Sequence, residues 1–406
     1  MTENMTDSKN ENLIARNFMT RAISLAKLGD GKTNPNPLVG AVIVKNGKII
    51  GEGYHHTYGA LHAERDALKN CAERGENPAK SEMFVTLEPC CHYGKQPPCT
   101  QAILESGISK VFVGSRDPNP LVSGKGVQFL RENGIEVETD FLKEECDELN
   151  PIFFHYITKN LPYVALKYAM TADGKIATKS GKSKWITGEK SRAFVHGLRG
   201  KYSAILVGIG TVLADDPMLN CRSEKIENSK NPVRVILDSK LRLPLESKIV
   251  QSAQGIKTIV ACVSSSDDEF FDRAAKLQEK GVKVWEFAPE ENVATTYVAT
   301  TSLSLSDSNL NCASTPSIRQ ILSRLATEEK IDSVLVEGGA SVNWSFLESG
   351  LVNKIYCFVA PKFFGGKESK SPVSGRGIED VDGAFQFKLK STEVFDNDIL
   401  LEYEAD

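Results

Sequence analysis

The chain has 406 residues, more than a single ordinary core accommodates, so two domains of roughly 150 to 250 residues are expected. A hydrophobic fraction of 41% and a charged fraction of 25% are those of a globular protein, and no apolar run approaches the roughly 18 residues that span a bilayer, so no membrane partner is expected. The net charge of −4 supplies no attractive field for nucleic acid, and the nine scattered cysteines show no disulfide framework, which points to a reducing cytoplasm.

Residues 1–12 are polar and mixed in charge, without the apolar core of a signal peptide, and are expected to form a disordered tail. Leu13–Leu28 has the apolar spacing of an amphipathic helix. Leu38–Val44 and Ile49–Gly53 read as strands joined by Lys45-Asn46-Gly47-Lys48, where Asn-Gly is the strongest hairpin signal in the chain. Then follow a helix at Leu61–Asn70, a strand at Met83–Leu87, and a turn and helix opening at Glu88-Pro89-Cys90. A helix at Cys99, a strand at Lys110–Gly114, a helix at Gly126–Asn133 and a strand at Ile135–Thr139 close the unit. This order predicts a mixed sheet between helical layers over residues 13–158, ending in one helix from Leu142 to Thr158.

A second domain, 159–406, opens with a strand at Tyr163–Lys167. Further strands are expected at Ser203–Val207, Val233–Leu237, Thr258–Val263, Val282–Phe287, Ser333–Val336 and Lys354–Ala360. Helices at Glu189–Leu198, Asp268–Lys280, Ser317–Ala326 and Ser341–Ser349 alternate with them. That alternation predicts an α/β domain with a mainly parallel sheet covered on both faces. The Thr-, Ser- and Asn-rich stretch 289–316 reads as a surface insertion.

His62-Ala63-Glu64 with Pro89-Cys90 and Cys99 carries the chemistry of the first half. One neutral imidazole and two thiolates fill three tetrahedral positions of a zinc ion and leave the fourth for water, whose pKa the metal lowers. Glu64 stays off the metal and is placed to carry the water's proton to a ring nitrogen and departing ammonia. His62, Cys90 and Cys99 are thus the expected ligands of one Zn2+ per chain, and Glu64 the expected catalytic residue. Both motifs are expected at helix N-termini, where the dipole favours thiolate over thiol. A closed structural zinc site, with Cys91 or His92 as fourth ligand, is the competing reading.

In the second half, Val334–Ser341 reads as a strand, a glycine turn and a helix start, whose backbone N–H groups can bind a nucleotide phosphate. It is not Gly-x-Gly-x-x-Gly, and a plain tight strand-to-helix turn fits the same residues.

Eight residues separate Cys90 from Cys99, where a generic zinc deaminase signature has two. Pro89-Cys90-x-His92-x-Gly94-x-x-Pro97-Pro98-Cys99 resembles the deaminase half of the bifunctional riboflavin-biosynthesis deaminase/reductases. So do Asn34-Pro35-Asn36-Pro37-x-Val39-Gly40, His56-x-x-Gly59-x-x-His62-Ala63-Glu64, and Asp117-Pro118-Asn119-Pro120 with Gly124-x-Gly126. Gln96 stands where that family usually has Thr. The runs Lys167–Ala177, Ser183–Thr187, Gly208–Pro217, Leu237-Asp238-Ser239, Asn343-Trp344-Ser345 and Pro361–Gly366 resemble its reductase half, in the same order.

The resemblance implies a cytidine-deaminase-like three-layer α/β/α domain followed by a dihydrofolate-reductase-like α/β domain that uses NADPH. By resemblance Ala169, Trp185, Thr211, Asp215, Ser239 and the turn Gly339, Ala340, Ser341, Val342, Asn343, Trp344 and Ser345 line the nicotinamide nucleotide. Substrate contacts match Ser183, Arg199, Leu219, Arg222 and Glu337; in the deaminase half Asn36, His56 and His92 are the candidates for orienting ring and phosphate. Two arginines suit a phosphomonoester, because a guanidinium fork grips phosphate in bidentate fashion; a solvated surface position is the competing reading for any single one. Asp215, beside Pro217, equally suits a turn or cap, and Lys167 and Asp173 are further polar candidates.

The implied partner is a small phosphorylated pyrimidine, with a homo-oligomer as the expected assembly. The implied activity is deamination of 2,5-diamino-6-(5-phosphoribosylamino)pyrimidin-4-one, then reduction of the ribosyl chain to ribityl. The rivals are a nucleoside or tRNA deaminase, a deaminase whose second domain has lost its activity, and a non-catalytic zinc protein.

Overall fold

The computed structural model describes residues 2–93, 97–119, 122–222, 231–288 and 316–405. The chain divides into two compact units, Met1–Leu161 and Pro162–Asp406. Among the described residues no helix is long and apolar enough to cross a membrane.

The first unit runs α1 (Thr2–Ala26), β1 (Gly40–Lys45), β2 (Lys48–Tyr54), α2 (Ala63–Glu73), β3 (Glu82–Leu87), α3 (Cys99–Glu105) and β4 (Lys110–Ser115). It closes with α4 (Lys125–Glu132), β5 (Glu136–Glu138), α5 (Lys143–Asp147) and α6 (Pro151–Lys159). The sheet order is β2-β1-β3-β4-β5, with β1 antiparallel to both neighbours and β3, β4 and β5 parallel. The period of two sorts each strand between two cores. Ala41, Ile43, Met83, Val85, Val111 and Val113 pack under α2, α3 and α4, whereas Val42, Val44, Phe84 and Phe112 pack under α1 and α5. Asn46 and Gly47 take φ values of 51° and 72°, the left-handed pair that a two-residue hairpin turn demands. Glycines at 51 and 53 let α2 lie directly on β2: a Cβ at Gly53 would stand 2.2 Å from the Ala67 nitrogen.

Three sequence expectations are corrected here. The first helix starts at Thr2, not Leu13, so residues expected to form a disordered tail are helical. They contain neither Gly nor Pro, and extending a helix already nucleated by its packed stretch costs little per residue. Cys90 does not open a helix; α3 waits until Cys99, because Pro97 and Pro98 fix the chain ahead of it and suit only a helix start. The stretch Leu142–Thr158 is two helices, parted at Asn150-Pro151, where Pro takes the first helical position of α6.

The second unit contains β6 (Tyr163–Thr171), α7 (Glu189–Lys201), β7 (Ala204–Gly208), α8 (Ile209–Asp215), β8 (Val233–Leu237), α9 (Lys248–Gln251), β9 (Thr258–Val263), α10 (Asp268–Glu279) and β10 (Val282–Phe287). Then come α11 (Ile318–Glu329), β11 (Ser333–Val336), α12 (Ala340–Glu348), β12 (Lys354–Ala360), β13 (Lys388–Phe395) and β14 (Asp398–Glu404). Nine strands are ordered β10-β9-β8-β7-β11-β6-β12-β14-β13. Pairing is parallel from β10 to β12, and β14 runs antiparallel to β12 and β13. The β13–β14 hairpin went unforeseen because β13 is exposed along nearly its whole length and carries no buried alternation to read. The expected insertion 289–316 falls, except for Pro316, outside the described residues.

β8 carries Arg234, which is fully buried without a carboxylate partner among its hydrogen bonds. Its guanidinium donates to Thr258 Oγ1, Ser252 Oγ and the carbonyls of Met218, Ile249 and Ile256, tying α9 and β9 to the loop that holds Leu219 and Arg222.

Candidate active sites

In the first unit, His62 is the N-cap residue of α2, and Glu64 follows in the first turn. His62 Nδ1 lies 3.6 Å from Cys90 Sγ and 3.4 Å from Cys99 Sγ, and the three donor atoms lie within 4.8 Å of one another. One nitrogen and two sulfurs at that spacing fit a tetrahedral zinc ion with one position left open. Among the described residues, Cys91 and His92 are not part of the group. The Cys99 backbone N–H donates to Cys90 Sγ at 3.4 Å. The two sulfurs titrate as a pair. The Cys99 thiol donating to Cys90, helped by His62 and the Cys99 N–H, outweighs burial and draws Cys90 down to about 4, while Cys99 is pushed well up beside that charge.

Glu64 is 4% exposed, and burial, reinforced by the charge on Cys90, raises its carboxyl above the usual range. A buried carboxyl that holds its proton more readily than an exposed one suits a proton carrier. The site therefore has three metal donors and one carboxyl outside the donor set.

Of the ring-orienting candidates, Asn36 is brought to the site, but its partner is His55 and not His56. His55 is buried, its Nδ1 donates to the Leu61 carbonyl at 2.8 Å, and its Nε2 accepts from Asn36 Nδ2 at 3.1 Å. Its ring stands 5.6 Å from that of His62, edge on. His56 points the other way, stacked on Tyr54 and bonded to Asp66 Oδ2 at 2.9 Å. The signal for His55 was present in strand parity. Gly51 and Gly53 mark the face of β2 that meets α2, and residue 55 continues that face.

His92 is exposed. Glu88, also unforeseen, is buried and accepts the N–H groups of Asp117, Gly124, Gly126 and Val127 at 3.0 to 3.4 Å. That carboxylate fixes Asp117 and residues 124–127 against the Pro89-Cys90 turn, where a Cβ at Gly126 would come 2.1 Å from the Pro89 carbonyl. Asp117, buried beside Glu88, is raised by burial to about 6.

In the second unit the chain order reverses between β7 and β11: β8, β9 and β10 continue on one side, β6 and β12 on the other. Ligands of open parallel sheets bind outside the carboxyl ends of the strands at such a switch point. The two turns there touch. A Cβ at Gly208 or at Gly338 would stand 2.7 Å from the Val342 side chain, and one at Gly339 would stand 3.7 Å from Thr211 Oγ1. Gly339 caps α12, so the N–H groups of Ala340 and Ser341 face the turn's mouth. N–H groups at a helix start beside a strand switch point suit a nucleotide phosphate.

Asp215 lies 3.5 Å from both Ser183 Oγ and Lys184 Nζ, next to Trp185, which is 63% exposed with the Arg192 guanidinium 4.6 Å over its ring. Ala169 lies on β6, paired with Phe358, and Ser239 follows β8 at the rim of a groove of about 420 Å3 lined also by Lys240, Arg242 and Arg273. Not all of the 339–345 run faces the turn. Asn343 Nδ2 donates to the Pro372 carbonyl, Trp344 packs on Gly375 and donates to Glu348, and Ser345 Oγ donates to the Ser341 carbonyl.

Among the substrate candidates, Arg199 turns its fork inward, Nε and Nη2 donating to Glu337 at 2.7 and 2.9 Å, with Lys167 Nζ at 3.9 Å from the same carboxylate. Burial pushes Glu337 up, and the Arg199 and Lys167 charges outweigh it and hold its carboxyl at about 2. Burial draws Lys167 down. Arg199 Nη1 also donates to the Asn220 carbonyl, beside Leu219, which takes a φ of 48°. Arg222 is exposed, and its backbone N–H donates to His196 Nδ1. His196 escaped the sequence reading; burial, then Arg199 and Arg222, lowers its pKa, and its i, i+3 spacing from Arg199 on α7 was the available signal.

A zinc-type deamination site in one unit and a helix start suited to a nucleotide phosphate in the other define a two-activity enzyme, a deaminase joined to a reductase. The comparisons agree. Residues 14–115 match the cytidine and deoxycytidylate deaminase zinc-binding region, and residues 162–401 match the RibD C-terminal domain. The chain is 52% identical to the riboflavin biosynthesis protein RibD of Actinobacillus pleuropneumoniae, over 95% of this chain and 94% of that one.

Two solved structures cover 97% of this chain and 99% of their own, each with a TM-score of 0.79. One, 41% identical, is a diaminohydroxyphosphoribosylaminopyrimidine deaminase/5-amino-6-(5-phosphoribosylamino)uracil reductase from Thermotoga maritima; the other, 35% identical, is RibD of Acinetobacter baumannii. The chain belongs to the RibD family of bifunctional riboflavin-biosynthesis enzymes.

Proposed function

We propose that the first unit hydrolyses the 2-amino group of 2,5-diamino-6-(5-phosphoribosylamino)pyrimidin-4-one and that the second reduces the ribosyl chain of the resulting uracil to 5-amino-6-(5-phosphoribitylamino)uracil. The observation that carries the reading is the convergence of His62, Cys90 and Cys99 beside a buried, unliganded Glu64. Zinc, which His62, Cys90 and Cys99 would hold, would supply the Lewis acid that makes a water nucleophilic at neutral pH. Glu64 takes one proton from the water and delivers it to the pyrimidine ring nitrogen, then carries the second proton, from the hydroxyl now on the ring carbon, to the amino group, which leaves as ammonia while the carbonyl forms. Asn36, fixed by His55, orients the ring, and His92 with Asp117 and residues 124–127 borders the phosphoribosyl side.

In the second unit NADPH supplies hydride. The helix start at Gly339, which packs through Val342 on Gly208 and Gly338, would hold its phosphates with the Ala340 and Ser341 N–H groups, and Ala169, Trp185, Thr211, Asp215 and Ser239 would border the nucleotide. Lys167, Arg199 and Glu337 present a fixed charge pattern to the polar edge of the pyrimidine, and Ser183, Leu219 and Arg222 lie toward its phosphate. The sugar reacts in its open, carbonyl-bearing form. The reading places the enzyme in the cytoplasm, in keeping with eight described cysteines that are free of disulfides. Self-association is in keeping with the exposure of Leu389, Val394 and Ile399 on the terminal hairpin.

The test is a coupled assay on zinc-replete protein with the phosphoribosyl diaminopyrimidinone, following ammonia and NADPH absorbance separately. Ammonia without NADPH, and one NADPH oxidised per ammonia when it is present, is the expected result. Absence of both signals overturns the substrate assignment. NADPH oxidation ahead of ammonia reverses the order.

A further inference from the structure

We propose that Arg65 is a positioning residue of the metal site, which locks the Cys99 loop to the helix that carries His62 and Glu64. Arg65 is the residue after Glu64 on α2 and is half-buried. Its Nε donates to the Pro97 carbonyl at 3.2 Å and its Nη2 to the Pro98 carbonyl at 3.1 Å. These are the two residues immediately ahead of Cys99.

The choice of partner follows from the chain. Pro97 and Pro98 have no N–H, so their carbonyls are the only backbone groups by which the segment can be held. The next two amides are used on the other side: Cys99 N–H donates to Cys90 Sγ, and Thr100 N–H donates to the Cys90 carbonyl at 3.2 Å. Amides thus tie the Cys99 segment to Cys90, and carbonyls tie it to α2. Arg65 is a polar bridge between two ligand-bearing elements that does not run through the metal. A guanidinium suits the task because its Nε and Nη2 donors are set in a rigid fork that reaches two successive carbonyls; an ammonium is a point donor and reaches one. With the bridge in place, His62 and Cys99 are spaced before metal arrives, and less ordering remains to be supplied on binding.

The inference rests on the zinc reading above, and the test separates the two. Full-length protein is loaded with zinc and mixed with excess chromophoric chelator, and the release rate is compared for the natural chain, Arg65→Met and Arg65→Lys. The cobalt-substituted forms are compared by their visible absorption bands, and NADPH oxidation with deaminated substrate reports the integrity of the second unit. Expected are release about 10- to 100-fold faster in Arg65→Met, a smaller acceleration in Arg65→Lys, shifted cobalt bands and unchanged reductase activity.

Natural protein that holds no zinc sinks the zinc reading itself. Natural protein that holds zinc, with release in both variants within twofold of it and unchanged cobalt bands, overturns the role of Arg65. Loss of deamination alone under those conditions makes Arg65 a substrate contact and overturns it equally. If Arg65→Met does not accumulate as folded protein, Arg65→Lys gives the same comparison.

Discussion

The two candidate sites are built differently. The deaminase site gathers four side chains from two short motifs, and its three donor atoms lie within 4.8 Å of one another. The reductase site is spread over the ends of β6, β7, β8 and β11, and much of it is backbone: glycines that leave room and helix N–H groups that face a turn. A metal needs particular atoms at bond distance, so its site is set by side-chain identity. A dinucleotide needs space and partial charge, so its site is set by topology and by side chains that are absent. The first kind of site fails when one atom is changed; the second degrades by steps.

The sharpest way to break the comparison is Glu64→Gln. It keeps the shape and removes the proton carrier, and we expect deamination to fall by about 10^3-fold or more with reduction of pre-deaminated substrate unchanged. Ammonia release and NADPH absorbance, measured on one preparation, check it; a matching fall in both activities in a folded variant would contradict the separation.

Next in size is Glu337→Gln, which leaves Arg199 and Lys167 without their buried counter-charge. We expect a loss of about 3 kcal/mol in the unfolding free energy of the second unit, read by urea titration, together with loss of reduction. The sign in pH follows. Because the folded-state carboxyl lies at about 2, below its ordinary 4.5, its contribution is complete above pH 4.5 and is lost as pH falls from there toward 2. The Gln variant should lose that part of the acid dependence.

A graded effect is expected from Gly338→Ala. Its Cβ would press on Val342 at 2.7 Å and push the turn out, so KM for NADPH should rise severalfold while deamination is untouched. An unchanged KM would mean that this turn does not hold the cofactor.

A paired comparison sharpens the reading of the first site. His55→Asn should lower deamination by tenfold or more, since it breaks the bridge that holds Asn36, whereas His56→Asn should change it less than about threefold. Reversal of that ranking would return His56 to the substrate.

Much of this was legible in the sequence, and unevenly. His62, Glu64, Cys90 and Cys99 announce themselves because zinc chemistry admits few residue types, and Asn46-Gly47 announces its turn because few residues accept positive φ there. The seven strands from β6 to β12 were visible as apolar runs because a parallel sheet is buried on both faces. β13 was not, because its side chains face solvent.

His55 was passed over for His56 because adjacent residues differ only in parity, and parity needs a strand end fixed by packing, here by Gly51 and Gly53 under α2. The inward turn of Arg199 onto Glu337 could not be read either. The residues lie on α7 and at the end of β11, and only the fold brings them together. Glu88 was hidden for the same reason: its partners are backbone amides, which every sequence offers everywhere.

The most direct test of the account is metal removal. The enzyme is dialysed against a strong chelator, and both activities are measured before and after one equivalent of zinc is restored. The account expects deamination to vanish and return with stoichiometric zinc, with NADPH-dependent reduction of deaminated substrate constant throughout. Deamination that persists in protein shown to be metal-free, or reduction that disappears and returns with the metal, would contradict it.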